Sequence, residues 1–201
     1  MHRLKLCLAL SCFLAAISPV ALQAALYDTT YIGPNGDYWN SGANWSGGVV
    51  PANTGSDQFN VTLPDNKTVD FDCTGVTDVS NLTLTDAGTI NWTANGTLNV
   101  DSTLVLHGTV NISGGTFNAA AASGGSIDNA HIAASGSATV VMPASITSYS
   151  MTYNNGSYYT LFSADGAGTK LGLSALKSLS PGNVYATIAA TNNGQIDLSG
   201  L

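Results

Sequence analysis

Glutamate is missing from this 201-residue chain, and arginine occurs once, at Arg3. Beyond Ala24 the only cations are Lys67, Lys170 and Lys177, set against 12 Asp, a net charge of −9. No basic patch is available to contact phosphates, so nucleic acid is excluded as a partner, and anionic membranes and acidic polysaccharides are disfavoured likewise. A polysaccharide lyase, which needs a Lys or Arg base and a cation to neutralise a uronate, fails on the same count. The scarcity of Glu, Lys, Arg and Gln also removes the residues that solvate exposed helix faces, while Thr, Val, Ile, Tyr, Asn and Gly abound, and an all-β chain follows. Cysteine is as scarce: Cys7 and Cys12 precede Ala24 and Cys73 stands alone after it, so no disulfide framework holds the fold. Cys73 reads as a buried small hydrophobe, because only Lys67 is near enough in sequence to activate a thiolate.

The chain opens MHRLK, runs apolar from Leu6 to Leu22 and closes that run with LQAA (22–25). This is a basic n-region, an h-region and a small-residue cleavage site after Ala24. Ser11, Ser18 and Pro19 interrupt the run and argue against a transmembrane anchor. The expectation is an exported protein, extracellular, on the cell surface or periplasmic, with a signal peptide at 1–24 and no membrane span once it is removed. The remainder, 25–201, has a length that suits one domain or one elongated stack.

What the chain does contain is a repeat. GTIN (88–91), GTLN (96–99), GTVN (108–111) and GTFN (115–118) share Gly, Thr and Asn around an apolar residue that changes each time. Taken alternately, the Gly positions recur from 88 to 108 and from 96 to 115, which are intervals of about 20 residues, within the range of stacked repeats. Short alternating segments lie between them, such as Ile90 and Trp92 or Leu98 and Val100. A shared period stacks equivalent residues of successive coils, so the pattern predicts a short right-handed parallel β-helix, a β-solenoid with N- and C-terminal caps, over an antiparallel meander. On this reading Gly supplies positive φ at the turn, Asn tolerates it, and the apolar residue need only be apolar.

Along the chain, residues 25–65 read as an N-terminal cap, 66–148 as the coils and 149–201 as a closing β segment. Within these, the Ala-rich stretch 119–125 reads as a loose loop between coils. LSALKSLSPG (173–182) reads as a short helical turn, and VYATIAATNNGQIDLSG (184–200) as a hairpin about Asn193-Gly194.

YWNSGANWSGGVVPANTGSDQFNV (38–61), followed near the end by GSYYTLFSADG (156–166) and NNGQIDL (192–198), resembles the opening and close of autotransporter-passenger-like β-solenoids and of exported proteins with PEP-CTERM-type sorting anchors. The resemblance implies a right-handed parallel β-helix on the surface of a bacterial cell or in its secreted matrix. No barrel, apolar anchor or basic tail follows Leu201 in this sequence, which suits either a truncated or a freely secreted chain.

Candidate chemistry is sparse. Tyr38, Trp39 and Trp45 are candidates for a flat platform against a neutral sugar ring, although such Trp residues more often plug the open end of a solenoid. Asp70 and Asp72 alternate onto one strand face, where they would serve as a hydrolase pair or as two solvated carboxylates. DFDCTGVTDVSN (70–81) sets Asp70, Asp72 and Asp78 at the offsets of a calcium loop, without its terminal bidentate Glu or flanking helices. His107 and His131 are isolated and read as surface or packing residues. No catalytic residue and no cofactor is expected. The expectation is a non-catalytic structural and adhesion module that contacts surface glycans or proteins; the alternative is a neutral-glycan binding module or weak glycoside hydrolase on the same coils.

Overall fold

The structure, a computed structural model, describes residues 24–153 and 155–201, so the expected signal segment lies outside the described residues apart from Ala24. The described chain is a parallel β-solenoid of about six turns. Every strand pair in its sheets is parallel.

One face stacks seven strands: Asp37–Tyr38, Thr68–Phe71, Thr89–Trp92, Thr109–Ile112, His131–Ala134, Tyr158–Asp165 and Tyr185–Thr191. Two long strands, Val76–Leu84 and Thr97–Leu106, each serve two further faces. Their first halves lead the column that continues through Thr116–Asn118, Thr139–Val141, Lys170–Gly172 and Gln195–Asp197. Their second halves join Ala25–Thr30 and Asp57–Leu63 on one side and Gly124–Ser126 on the other.

The register explains the repeat. Thr68, Thr89, Thr109 and His131 lie in one column, each in register with its counterpart in the next coil. Inward positions make apolar columns, Val69–Ile90–Val110–Ile132–Phe162 on the first face and Leu98–Phe117–Val140–Leu171–Ile196 on the second. Nearly all of these side chains are fully buried, and each such burial is worth roughly 1.5–3 kcal/mol relative to exposure. Any apolar residue that fills its layer serves, which is why the third residue of the tetrad varies.

The Gly and Asn of the tetrad act differently from the expectation. Of the four glycines only Gly115 has positive φ, at 72°. For three of them the constraint is the close passage of the neighbouring coil: a Cβ on Gly96 would run into the Cys73 carbonyl oxygen, one on Gly108 into that of Gly88, and one on Gly115 into that of Gly96, whereas one on Gly88 would meet the Leu84 side chain. None of Asn91, Asn99, Asn111 and Asn118 has positive φ; all four are strand residues with outward-facing side chains.

The flanks also differ in detail. Strand ladders run from Ala25 to Asp197, so segments 25–65 and 149–201 add coils to the stack as well as ending it. The 119–125 stretch is no loose loop, because Ala119 and Ala122 are buried and Gly124–Ser126 pairs with the preceding coil. Residues 173–182 form a turn closed by Leu176 N–H to the Leu173 carbonyl and then a strand, Ser178–Ser180, instead of a helical turn. No hairpin forms about Asn193-Gly194, since Tyr185–Thr191 pairs with Tyr158–Asp165 while Gln195–Asp197 pairs with Lys170–Gly172. Asn192 and Asn193, at φ 49° and 66°, turn the chain from one face to the next instead of back on itself. Among the described residues no helix is long and apolar enough to cross a membrane.

The two ends are finished unequally. In the first coil a 3₁₀ turn, Gly42–Asn44, and an antiparallel bridge between Tyr31 and Trp45 fold the chain back and bury Tyr31, Trp39 and Trp45. In the last coil Val184, Ile188, Ile196 and Leu198 remain half-buried.

Close coil passage makes a sharp comparison possible. Gly96→Ala is expected to cost about 1–3 kcal/mol or more through overpacking against the Cys73 backbone. Gly75→Ala, where an added Cβ meets nothing within 4 Å, should stay within about 0.5 kcal/mol. Urea denaturation of the two variants checks the difference.

Candidate functional site

The aromatic residues expected to form a glycan platform are mostly interior. Trp39 is 0% and Trp45 1% exposed, and only Tyr38, at 54%, presents a ring to solvent. Trp39 packs edge-on against Trp45 (centroids 4.7 Å apart) and Phe71 (5.5 Å), and the Trp45 indole N–H donates to the Trp39 carbonyl at 2.8 Å. Tyr31 completes the cluster; its hydroxyl donates to the Pro34 carbonyl at 2.8 Å, and burial pushes its pKa up to about 12. A sugar ring has no access to these indole faces, so Trp39 and Trp45 are the plug and not the platform.

The three carboxylates of the calcium reading are not brought together. Asp70 stands on the first face and Asp78 on the second, while Asp72 follows the strand that holds Asp70. Asp72 Oδ1 accepts the backbone N–H of Asn40 at 2.9 Å. Among the described residues no group of three or more His, Cys, Asp or Glu side chains is placed to hold a metal ion.

What Asp70 and Asp78 do is head ladders. Asn91 Nδ2 donates to Asp70 Oδ1 at 3.2 Å, and Asn111 Nδ2 to Asn91 Oδ1 at 2.9 Å. On the second face Asn99 Nδ2 donates to Asp78 Oδ1 at 2.6 Å, and Asn118 Nδ2 to Asn99 Oδ1 at 2.9 Å. A third ladder runs from Asp28 through Asn60, at 2.7 Å, to Asn81. In each, an acceptor-only carboxylate starts a chain of amides whose N–H groups all point back towards it. Hydrogen bonds aligned in this way polarise one another.

The ladders end differently. Asn118 Oδ1 accepts the N–H of Ala120, and Asn81 Oδ1 is buried without a partner among the described residues. Asn111 Oδ1 accepts no hydrogen bond among the described residues and opens onto a groove of about 380 Å³. In register with Asn91 and Asn111 the next outward residues are Ala133 and Ser163, so the column of amides drops to short side chains there. The neighbouring corner column is Ser113, Ser135 and Asp165, and the two columns together line the groove. Thr191 Oγ1 and Asn192 Nδ2 donate to Asp165 Oδ1 at 2.6 and 2.7 Å, and these bonds hold the carboxyl below its usual range. Near the starts of the same strands His131 and Tyr159, with Tyr153 beside them, form a row of half-buried rings, with centroids 5.5 Å apart at each step.

His107 is less isolated than its sequence suggests. Its Nε2 is 2.7 Å from Ser126 Oγ, and its Nδ1 is 3.7 Å from Asp86 Oδ1. The order is that of a Ser-His-Asp triad. The outer distance is too long for a hydrogen bond and Asp86 is 57% exposed, so what the geometry gives is a tie from one coil to the next through Ser126. His131 Nδ1 lies 3.0 Å from the Thr160 carbonyl, also a tie to the next coil. Cys73 is half-buried and burial pushes its thiol up, in keeping with a packing role.

Sequence reasoning misses the ladders because it assigns each Asn to a turn; the Asp or Asn recurring once per coil, at 60 and 81, at 70, 91 and 111, and at 78, 99 and 118, is the available signal.

Asn99→Ala removes both of that residue's ladder bonds and is expected to destabilise by about 1–3 kcal/mol in urea denaturation. Asp165 supplies a pH test. A depressed carboxyl contributes stability that is present above its unfolded pKa and lost as pH falls through the lower folded value. Asp165→Asn should therefore melt below the wild type at neutral pH, and the gap should close as the pH falls below about 4, the ordinary carboxylate range.

Comparisons with protein-family models, with curated proteins and with solved structures find no match to this chain.

Proposed function

We propose that the protein is an exported, non-catalytic structural and adhesion module of the autotransporter-passenger type, acting at the cell surface or in the extracellular matrix. The observation that supports this most directly is the set of three Asp-headed amide ladders. Side chains capable of recognition or chemistry are spent instead on tying coil to coil along the outer faces. Outward Thr columns, such as Thr68–Thr89–Thr109 and Thr97–Thr116–Thr139, leave long uncharged faces suited to repeated weak contacts. The basic, apolar, small-residue order of 1–24 supports export.

The groove at the end of the Asn111 ladder favours a second reading, a neutral-glycan binding module on the same coils. A hydrolase pair at Asp70 and Asp72 gains no support, because the first accepts from Asn91 and the second from the Asn40 backbone.

In the native host, antibody labelling of unpermeabilised cells and of the culture medium is expected to find the chain outside the cytosol, and deletion of its gene should lower attachment to surfaces several-fold. Recovery of the chain in the cytosolic fraction alone, or attachment unchanged by the deletion, overturns the proposal.

A further inference from the structure

We infer that the groove between the Asn91–Asn111 column and the Ser135–Asp165 corner is a binding site for a linear, uncharged saccharide chain lying along the solenoid axis. The inference rests on the glycan-binding reading and deepens it by giving it a place and a ligand chemistry.

The groove exists because the outward repeat breaks. Through the coils of Asp70, Asn91 and Asn111 the first face carries long polar side chains in register; in the next two coils the same column holds Ala133 and Ser163. The shortened side chains open a volume of about 380 Å³, within the range of small-molecule sites. Its long axis crosses successive coils, which are spaced by about 4.8 Å in a parallel sheet. An elongated ligand is favoured over a compact one.

The lining decides the chemistry. Asn111 donates its Nδ2 hydrogen back to Asn91, which turns Oδ1 of the planar amide towards the Ala133 coil. That oxygen is the free end of a polarised hydrogen-bonded chain that begins at the Asp70 side chain, and such an oxygen is a strengthened acceptor. Asp165 uses Oδ1 for Thr191 and Asn192 and keeps Oδ2 for a ligand. Ser135 and Ser163 add hydroxyls, which donate and accept. Ala133 supplies a small apolar seat between them. Acceptors at both ends with hydroxyls between match a ligand whose own hydroxyls donate and accept along its length and whose C–H faces are apolar. An anionic chain would meet Asp165 and the −9 net charge of residues 25–201. A cationic chain is the rival ligand, since the same charge would attract it and the serine hydroxyls accept as well as donate.

The test uses purified protein depleted from solution by insoluble cellulose, xylan, chitin and β-1,3-glucan, with chitosan as the cationic comparison. Ala133→Trp fills the groove floor, and Val76→Trp adds the same indole at an exposed position on the second face. Should Ala133→Trp melt early, Ser163→Tyr fills the floor from the next coil. The expected result is saturable binding to at least one neutral polysaccharide, weakened roughly tenfold or more by the floor substitution in a folded variant and unchanged by Val76→Trp. No binding to any neutral polysaccharide, binding to chitosan alone, or binding indifferent to both floor substitutions overturns the inference. The cell-surface and attachment measurements read the broader adhesion role separately, so either can fail without the other.

Discussion

Everything in this molecule depends on parallel, in-register stacking, in which each residue sits against its counterpart one coil earlier. A column must therefore be compatible with itself. Apolar residues stack on apolar residues, and hydroxyls and amides stack on their own kind. A carboxylate stacked on a carboxylate, or a lysine on a lysine, would repel along the whole face. The three amide ladders meet this constraint by admitting one Asp each, at the head, and continuing in Asn. The scarcity of charged side chains in the sequence fits this constraint. The solvation that charged side chains give other proteins is here given by Thr and Asn, which can be stacked.

Much of the architecture is legible because the stacking constraint leaves a period in the sequence. Ile90 and Val110, or Leu98 and Phe117, are related by the coil length, and that alone separates a solenoid from a meander. The roles of individual residues are harder to read, because one residue type serves several backbone situations. Asn91 and Asn193 look alike in sequence, yet the first is a strand residue in a ladder and the second sits at positive φ in a corner. An Asn-Gly corner between two solenoid faces and an Asn-Gly hairpin share their local chemistry, and only the strand register tells them apart. The Trp pair is ambiguous for a related reason: an indole suits a sugar and a core alike, and the antiparallel bridge that buries Trp45 is set by tertiary geometry.

Deviations from the repeat carry the individuality of the surface. Where Asn gives way to Ala133 and Ser163, a flat face becomes a groove, and where Ser gives way to Asp165 a single charge stands at its edge. Uniform columns build the rod, and the interrupted ones give it places that differ from the rest. Deep pockets are foreign to such a stack, since every layer is filled by the layer before it, so specificity arises as shallow relief running along the axis.

The aromatic file has an optical consequence. All three tryptophans, Trp39, Trp45 and Trp92, belong to the early coils, joined through Phe71 in an unbroken series of ring contacts. Tyr149, Tyr153, Tyr158, Tyr159 and Tyr185 belong to the late ones. In a stack whose coils touch only their neighbours, the two ends are free to melt at different temperatures. Indole emission then reports the plugged end alone, whereas the phenols, with Tyr27, Tyr31 and Tyr38 at that end as well, report both, so the lag between the two signals reads how separately the ends melt.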